Sequence, residues 1–140
     1  INIGTNDFAR DVNQNSITDY QEAAIPGVKR FDPAEFTAQY KKFVQFVRTK
    51  RPNAHIFIAL PPMTTDKFPI DDGRKIFRES LSTIVRDLNG SGDEKVYFVE
   101  LVEMGVRYGL GCDYHPNLEV HRIMGRQLAG AIRSKTCWTR

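Results

Sequence analysis

The chain has 140 residues, of which 41% are hydrophobic and 26% charged, and its formal net charge is +3. That length and balance fit one globular domain, and no apolar run is long enough to span a membrane. The mild positive charge comes without an aromatic-interleaved basic groove, so composition gives no footprint for a nucleic-acid partner.

Ile1-Asn2-Ile3 reads as a short buried strand running into a Gly4-Thr5-Asn6-Asp7 turn. Ile1 and Ile3 are β-branched and suit a pleated, buried position. Asn6 then stands at the carboxyl end of a strand, where open α/β sheets bind ligands. Residues 8–31 show no clean period and contain Pro26-Gly27, as a long loop does. Asp32-Pro33 starts a helix, with Asp32 as N-cap, Pro33 in the first turn and Glu35 completing a capping-box pattern. Phe36, Tyr40, Phe43, Val44 and Val47 mark its buried stripe, and Pro52 stops it near Arg51. Lys41, Lys42, Arg48, Lys50 and Arg51 read as its solvated face and last turn, where cations meet the negative end of the macrodipole.

Residues 54–60 are almost continuously apolar, as in a parallel strand covered on both faces, with His55 at its edge. Residues 61–70 form a second loop. Asp71-Asp72 open the next helix, whose stripe is Phe77, Leu81, Ile84, Val85 and Leu88. Asn89-Gly90-Ser91-Gly92 ends it with residues that tolerate the left-handed region. Residues 95–102 make a third strand, and a loop with Gly105, Gly109 and Gly111 leads to Cys112-Asp113-Tyr114-His115-Pro116-Asn117. A last helix over residues 118–133 turns Val120, Ile123, Met124, Leu128 and Ile132 inward. Its Gly125, Ala129 and Gly130 suit close packing on the sheet.

The order β-α-β-α-β-α predicts a parallel sheet with right-handed crossovers. Three strands are few for an open sheet, and the chain opens inside one of them, so a larger unit with earlier strands is the expectation. Cys112 and Cys137 fit either one disulfide or two buried thiols. The disulfide, and the glycosylation sequon at Asn89-Gly90-Ser91, would fit an extracellular protein.

Chemistry concentrates at two distant points. The Asn6 amide offers two N–H donors suited to an oxyanion, although Asn6 and Asp7 also suit an ordinary Asx turn. His115 lies before a Pro-Asn turn on a constrained backbone, and imidazole transfers protons near neutrality. Loops that follow parallel strands gather on one sheet edge, so Asn6 and His115 are expected to share a cleft.

On those residues a resemblance can be stated. Gly4-Thr5-Asn6-Asp7 resembles the third conserved block of the SGNH (GDSL-type) hydrolases, and Asp113-Tyr114-His115-Pro116-Asn117 resembles their last. The form Gly111-Cys112-Asp113-Tyr114-His115-Pro116 is closest to carbohydrate esterase family 2, the acetyl esterases of plant polysaccharides. The resemblance implies a flavodoxin-like three-layer α/β/α fold with a parallel sheet, incomplete at its N-terminus, with residues 1–140 as the C-terminal part of a single domain. It implies a secreted carbohydrate O-acetyl esterase acting on acetylxylan- or glucomannan-type polysaccharides or oligosaccharides, without cofactor or metal. Asn6 would donate to the oxyanion, and His115 would be the base toward a serine. Tyr114 would line the substrate pocket, as would Trp138 unless it is simply buried.

Two departures from the family pattern stand out. Most members carry the orienting acid three residues before the histidine, where this chain has Cys112; Asp113 is two before. Asp113 or a backbone carbonyl would then orient His115, giving a triad or a dyad. No Gly-Asp-Ser block occurs, and Ser16, Ser80, Ser82, Ser91 and Ser134 all lack the strand-turn-helix setting of a nucleophile. The serine is therefore expected upstream, leaving this chain inactive alone. Two rivals are a metal site at Cys112, Asp113 and His115, which lacks a second ligand pair at metal spacing, and a non-catalytic glycan-binding SGNH-like module.

Overall fold

Asp32 caps the first described helix, α1 (Pro33–Lys50): one carboxylate oxygen accepts from the Ala34 and Glu35 backbone N–H groups, and Pro33 occupies the first turn. The computed structural model describes residues 1–3, 32–66, 72–105 and 107–138, with Tyr114 through its backbone alone. The Asn6 block, Ser16 and the loop over residues 8–31 lie outside them.

After α1 come β1 (Ile56–Leu60), α2 (Gly73–Gly90), β2 (Val96–Glu100) and, beyond a short 3-10 turn at Cys112–Tyr114, α3 (Leu118–Thr136). The two strands pair in parallel, with Ile56 beside Val96 and Leu60 beside Glu100. On the other edge of β1, the Ile1 nitrogen donates to the Phe57 carbonyl and the Ile1 carbonyl accepts from Ala59 N–H, at 2.6 and 2.9 Å. That alternation is a parallel neighbour's, so among the described opening residues Ile1 extends the sheet. Ile3, expected in the core, is 50% exposed.

Side-chain alternation along β1 builds three layers. Ile56, Ile58 and Leu60 face Tyr40 and Val44 of α1 and Phe77, Leu81, Ile84 and Leu88 of α2. Phe57 and Ala59 face the other way, joining Val99, Leu101 and the α3 residues Met124 and Ala131. An α/β/α arrangement with a parallel sheet is thus observed, with α1 and α2 on one face and α3 on the other.

Several local expectations are corrected. Asp72 does not cap α2 with its side chain: it sits in the left-handed region at φ 58°. The acceptors come instead from the loop after β1, where Asp66 Oδ1 takes Lys75 N–H and the Thr65 carbonyl takes Arg74 N–H. Phe43 and Leu128 are exposed rather than buried. On α3 Val120 is fully buried, and a Cβ added at Gly125 or Gly130 would meet nothing, so neither glycine packs closely on the sheet.

Candidate active site

Parallel strands deliver the loops after β1 and β2 to one sheet edge, and there the two loops bond to each other: Met104 N–H donates to the Pro62 carbonyl at 3.0 Å. Ile1 runs parallel to β1, so residues 1–3 head toward the same edge. Asn6 itself lies outside the described residues.

The excursion after β2 carries His115, and two short backbone bridges fold it. Gly105 pairs with Gly109, and Leu110 pairs with Pro116. Gly109 adopts φ +77°, and a Cβ there would come within 3.1 Å of the Asn117 amide, so both its conformation and its space favour glycine. Inside the second bridge, Gly111 N–H donates to the His115 carbonyl at 2.7 Å, and His115 N–H donates to the Cys112 carbonyl at 3.0 Å. Asn117 joins this loop to α3. Its Oδ1 accepts from Glu119 and Val120 N–H, both at 3.0 Å, as the helix cap, while its amide donates to the Tyr108 carbonyl at 2.6 Å. The sequence marks Asn117 only as part of the histidine block; its capping role follows from its place just before the apolar stripe of α3.

His115 is exposed. Its Nδ1 lies 2.7 Å from the backbone carbonyl of Asp113. A carbonyl only accepts, so Nδ1 carries the hydrogen, and Nε2 of the neutral ring is left with its lone pair. Asp113 sits in the left-handed region at φ 50°, and it is the main chain of that residue, not its carboxylate, that meets the ring. Cys112, Asp113 and His115 do not gather as a metal-holding group among the described residues. Cys112 and Cys137 are free and exposed, so neither the disulfide nor the buried-thiol expectation is met. Trp138 is 73% exposed. The amide of Asn89, in the sequon, donates to the Asp93 and Val96 carbonyls at 2.8 and 3.1 Å, engaging the nitrogen that a glycan would need.

Charge at the rim is paired. Glu100, the last residue of β2, accepts from Arg78 at 2.7 and 3.0 Å and from Arg74 at 3.2 Å. Its carboxyl is held below the ordinary range chiefly by the Arg78 hydrogen bonds, against an opposing desolvation. Elsewhere, a mostly apolar cavity of about 530 Å³ opens beside Ile1, between Val47 of α1, with Arg51 just beyond that helix, and Met124 and Leu128 of α3. Of the segment from β2 to His115 only its root, Leu101, lines it, and His115 does not.

No protein-family model matches the sequence. Cellulase/esterase CelE of Acetivibrio thermocellus is 33% identical over 138 residues, which is 99% of this chain and 14% of CelE. A family two carbohydrate esterase from Clostridium thermocellum, solved in complex with cellohexaose, superposes with a TM-score of 0.72 at 34% identity, over 81% of this chain and 33% of that one. A carbohydrate esterase family 2 enzyme with a carbohydrate binding domain, from Corynascus thermopiles (Myceliophthora fergusii), superposes with a TM-score of 0.77 at 32% identity, over 99% of this chain and 36% of that one. The chain thus spans about a third of these esterase structures and resembles family two carbohydrate esterases, of SGNH type, along nearly all its length.

Proposed function

We propose that this chain, similar to part of the family two carbohydrate esterases, is the C-terminal, histidine-bearing part of a secreted carbohydrate O-acetyl esterase. The observation that carries the reading is the imidazole of His115, exposed in the loop after β2, with Nδ1 on the Asp113 carbonyl at 2.7 Å. The carbohydrate esterase relatives, one in complex with cellohexaose, support a polysaccharide or oligosaccharide substrate.

In this reading a serine on an upstream segment of the same polypeptide attacks the acyl carbon. Nε2 of His115 takes the serine proton as the bond forms. The carbonyl oxygen becomes an oxyanion, toward which the Asn6 amide donates. Collapse breaks the bond to the sugar oxygen, and the imidazolium returns its proton to that leaving oxygen. Water then attacks the acyl-serine with the same base, releasing the acid. Asp113 orients the ring through its main chain, and its carbonyl dipole stands where a triad would have a carboxylate. Tyr114 is assigned to the substrate pocket by the family resemblance alone. Asn6→Ala is expected to cost about 2.7–4 kcal/mol of transition-state stabilisation, the value of one oxyanion donor.

The absence of a Gly-Asp-Ser block from these 140 residues favours a second reading, a glycan-binding SGNH-like module without turnover. Acetate release separates the two. The whole polypeptide that carries this chain is expected to deacetylate acetylated xylo- or cello-oligosaccharides, and the 140 residues alone to release none. Calorimetric binding of those sugars by the whole polypeptide, with no acetate released, would establish the binding module instead.

A further inference from the structure

The loop that carries His115 leaves β2 at Leu101, and its root is held by two side chains that the proposed chemistry does not use. Arg74 stands in the first turn of α2, where a cation faces the positive end of the helix dipole, with no acidic residue in that turn to offset it. It is nevertheless buried, at 4% exposure. A buried guanidinium at the unfavourable helix end depends on its partners. Its Nη1 donates to the Pro61 and Thr64 carbonyls at 3.2 and 3.0 Å, and its Nη2 to the Leu101 carbonyl at 2.7 Å and to Glu100 Oε1 at 3.2 Å. Glu103 Oε2 lies 3.6 Å from Nε. One planar fork therefore bonds the backbone of both loops at the carboxyl edge, a geometry that a lysine ammonium does not reproduce.

The other layer grips the next residue. Gln127 of α3 accepts Val102 N–H on its side-chain oxygen at 2.8 Å. Leu101 and Val102 are thus fixed from α2 and α3, and the Gly105–Gly109 and Leu110–Pro116 bridges carry that placement onward to His115.

We propose that Arg74 and Gln127 are positioning residues for His115, setting the root of its loop so that Nε2 meets the reacting atoms. The catalytic consequence rests on the reading of His115 as the base; the mechanical one does not. The test measures hydrogen exchange and esterase kinetics together in the whole polypeptide, for Arg74→Lys, Gln127→Ala and His115→Ala. A control, Arg48→Lys, breaks a comparable fork on Asp93 and the Ala54 carbonyl that touches neither loop. Arg74→Lys and Gln127→Ala are expected to speed exchange over residues 104–117 and to lower kcat, each by at least about tenfold, as misplacement of a catalytic group does. KM stays within about twofold, because the lost interaction belongs to the transition state. Arg48→Lys changes neither. Should Arg74→Lys fail to fold, Gln127→Ala decides. Exchange over 104–117 unchanged in the variants, or raised equally by Arg48→Lys, would overturn the proposal. Faster exchange with kcat intact would overturn its catalytic half. In that case His115→Ala tells the two failures apart: if it also keeps full turnover, the base assignment falls, and if it alone loses activity, the positioning role falls.

Discussion

Asp113 meets the His115 ring through a backbone atom, which explains why the residue pattern alone left open which of its groups does so. An aspartate two before a histidine advertises a carboxylate, yet the ring meets the carbonyl at 2.7 Å. Residue identity announces side chains, and a main-chain acceptor becomes visible only once the left-handed turn at φ 50° is known. Asparagine tolerates that region about as well as aspartate. Asp113→Asn in the whole polypeptide is therefore expected to keep kcat within about threefold, whereas loss of an orienting carboxylate in a triad costs on the order of 10⁴. Steady-state kinetics on an aryl acetate decide between them. Tyr40 offers a second test at this scale. Its hydroxyl is buried without a hydrogen-bond partner among the described residues, and burial pushes its pKa above the ordinary range. Removing an unpaired buried polar group relieves a desolvation cost, so Tyr40→Phe should leave stability unchanged or raise it by about 1 kcal/mol in urea unfolding.

Helix ends divide into those the sequence announces and those it hides. At α1, Asp32 and Pro33 are adjacent in sequence to the N–H groups they serve, so the start was legible. At α2, Asp71-Asp72 looked equivalent, but the acceptors come from Thr65 and Asp66, several residues away across a loop. Asp32→Ala should accordingly cost about 1 kcal/mol in denaturant unfolding, and Asp72→Ala should not lose a cap. The apolar stripes were legible as periodicity, but periodicity does not say how far the sheet extends; Phe43 and Leu128 lie on predicted stripes and remain exposed. Glu100 gives β2 a pH signature. Its carboxyl is lowered in the folded state, so its contribution is present above the unfolded carboxylate pKa and lost as pH falls through the folded value. Thermal melts of Glu100→Gln should lie below wild type at pH 7, with the gap closing at acidic pH; a gap independent of pH would contradict the assignment.

At the scale of the molecule, the α/β/α layering was readable because each element carried its own period and its own ends. Of the candidate site only the His115 half can be compared, since Asn6 lies outside the described residues. His115 could be placed at the carboxyl edge from topology, while the clamp by Arg74 joins carbonyls that no side-chain pattern encodes. Similarity over 99% of the chain but 36% of an esterase structure leaves the nucleophile to the rest of the polypeptide in this account. The measurement that bears most directly on this account is kcat of the His115→Ala variant of the whole polypeptide on an aryl acetate, with circular dichroism confirming an intact fold. A fall of at least about 10³-fold is predicted for loss of the base; turnover at the wild-type rate would contradict it.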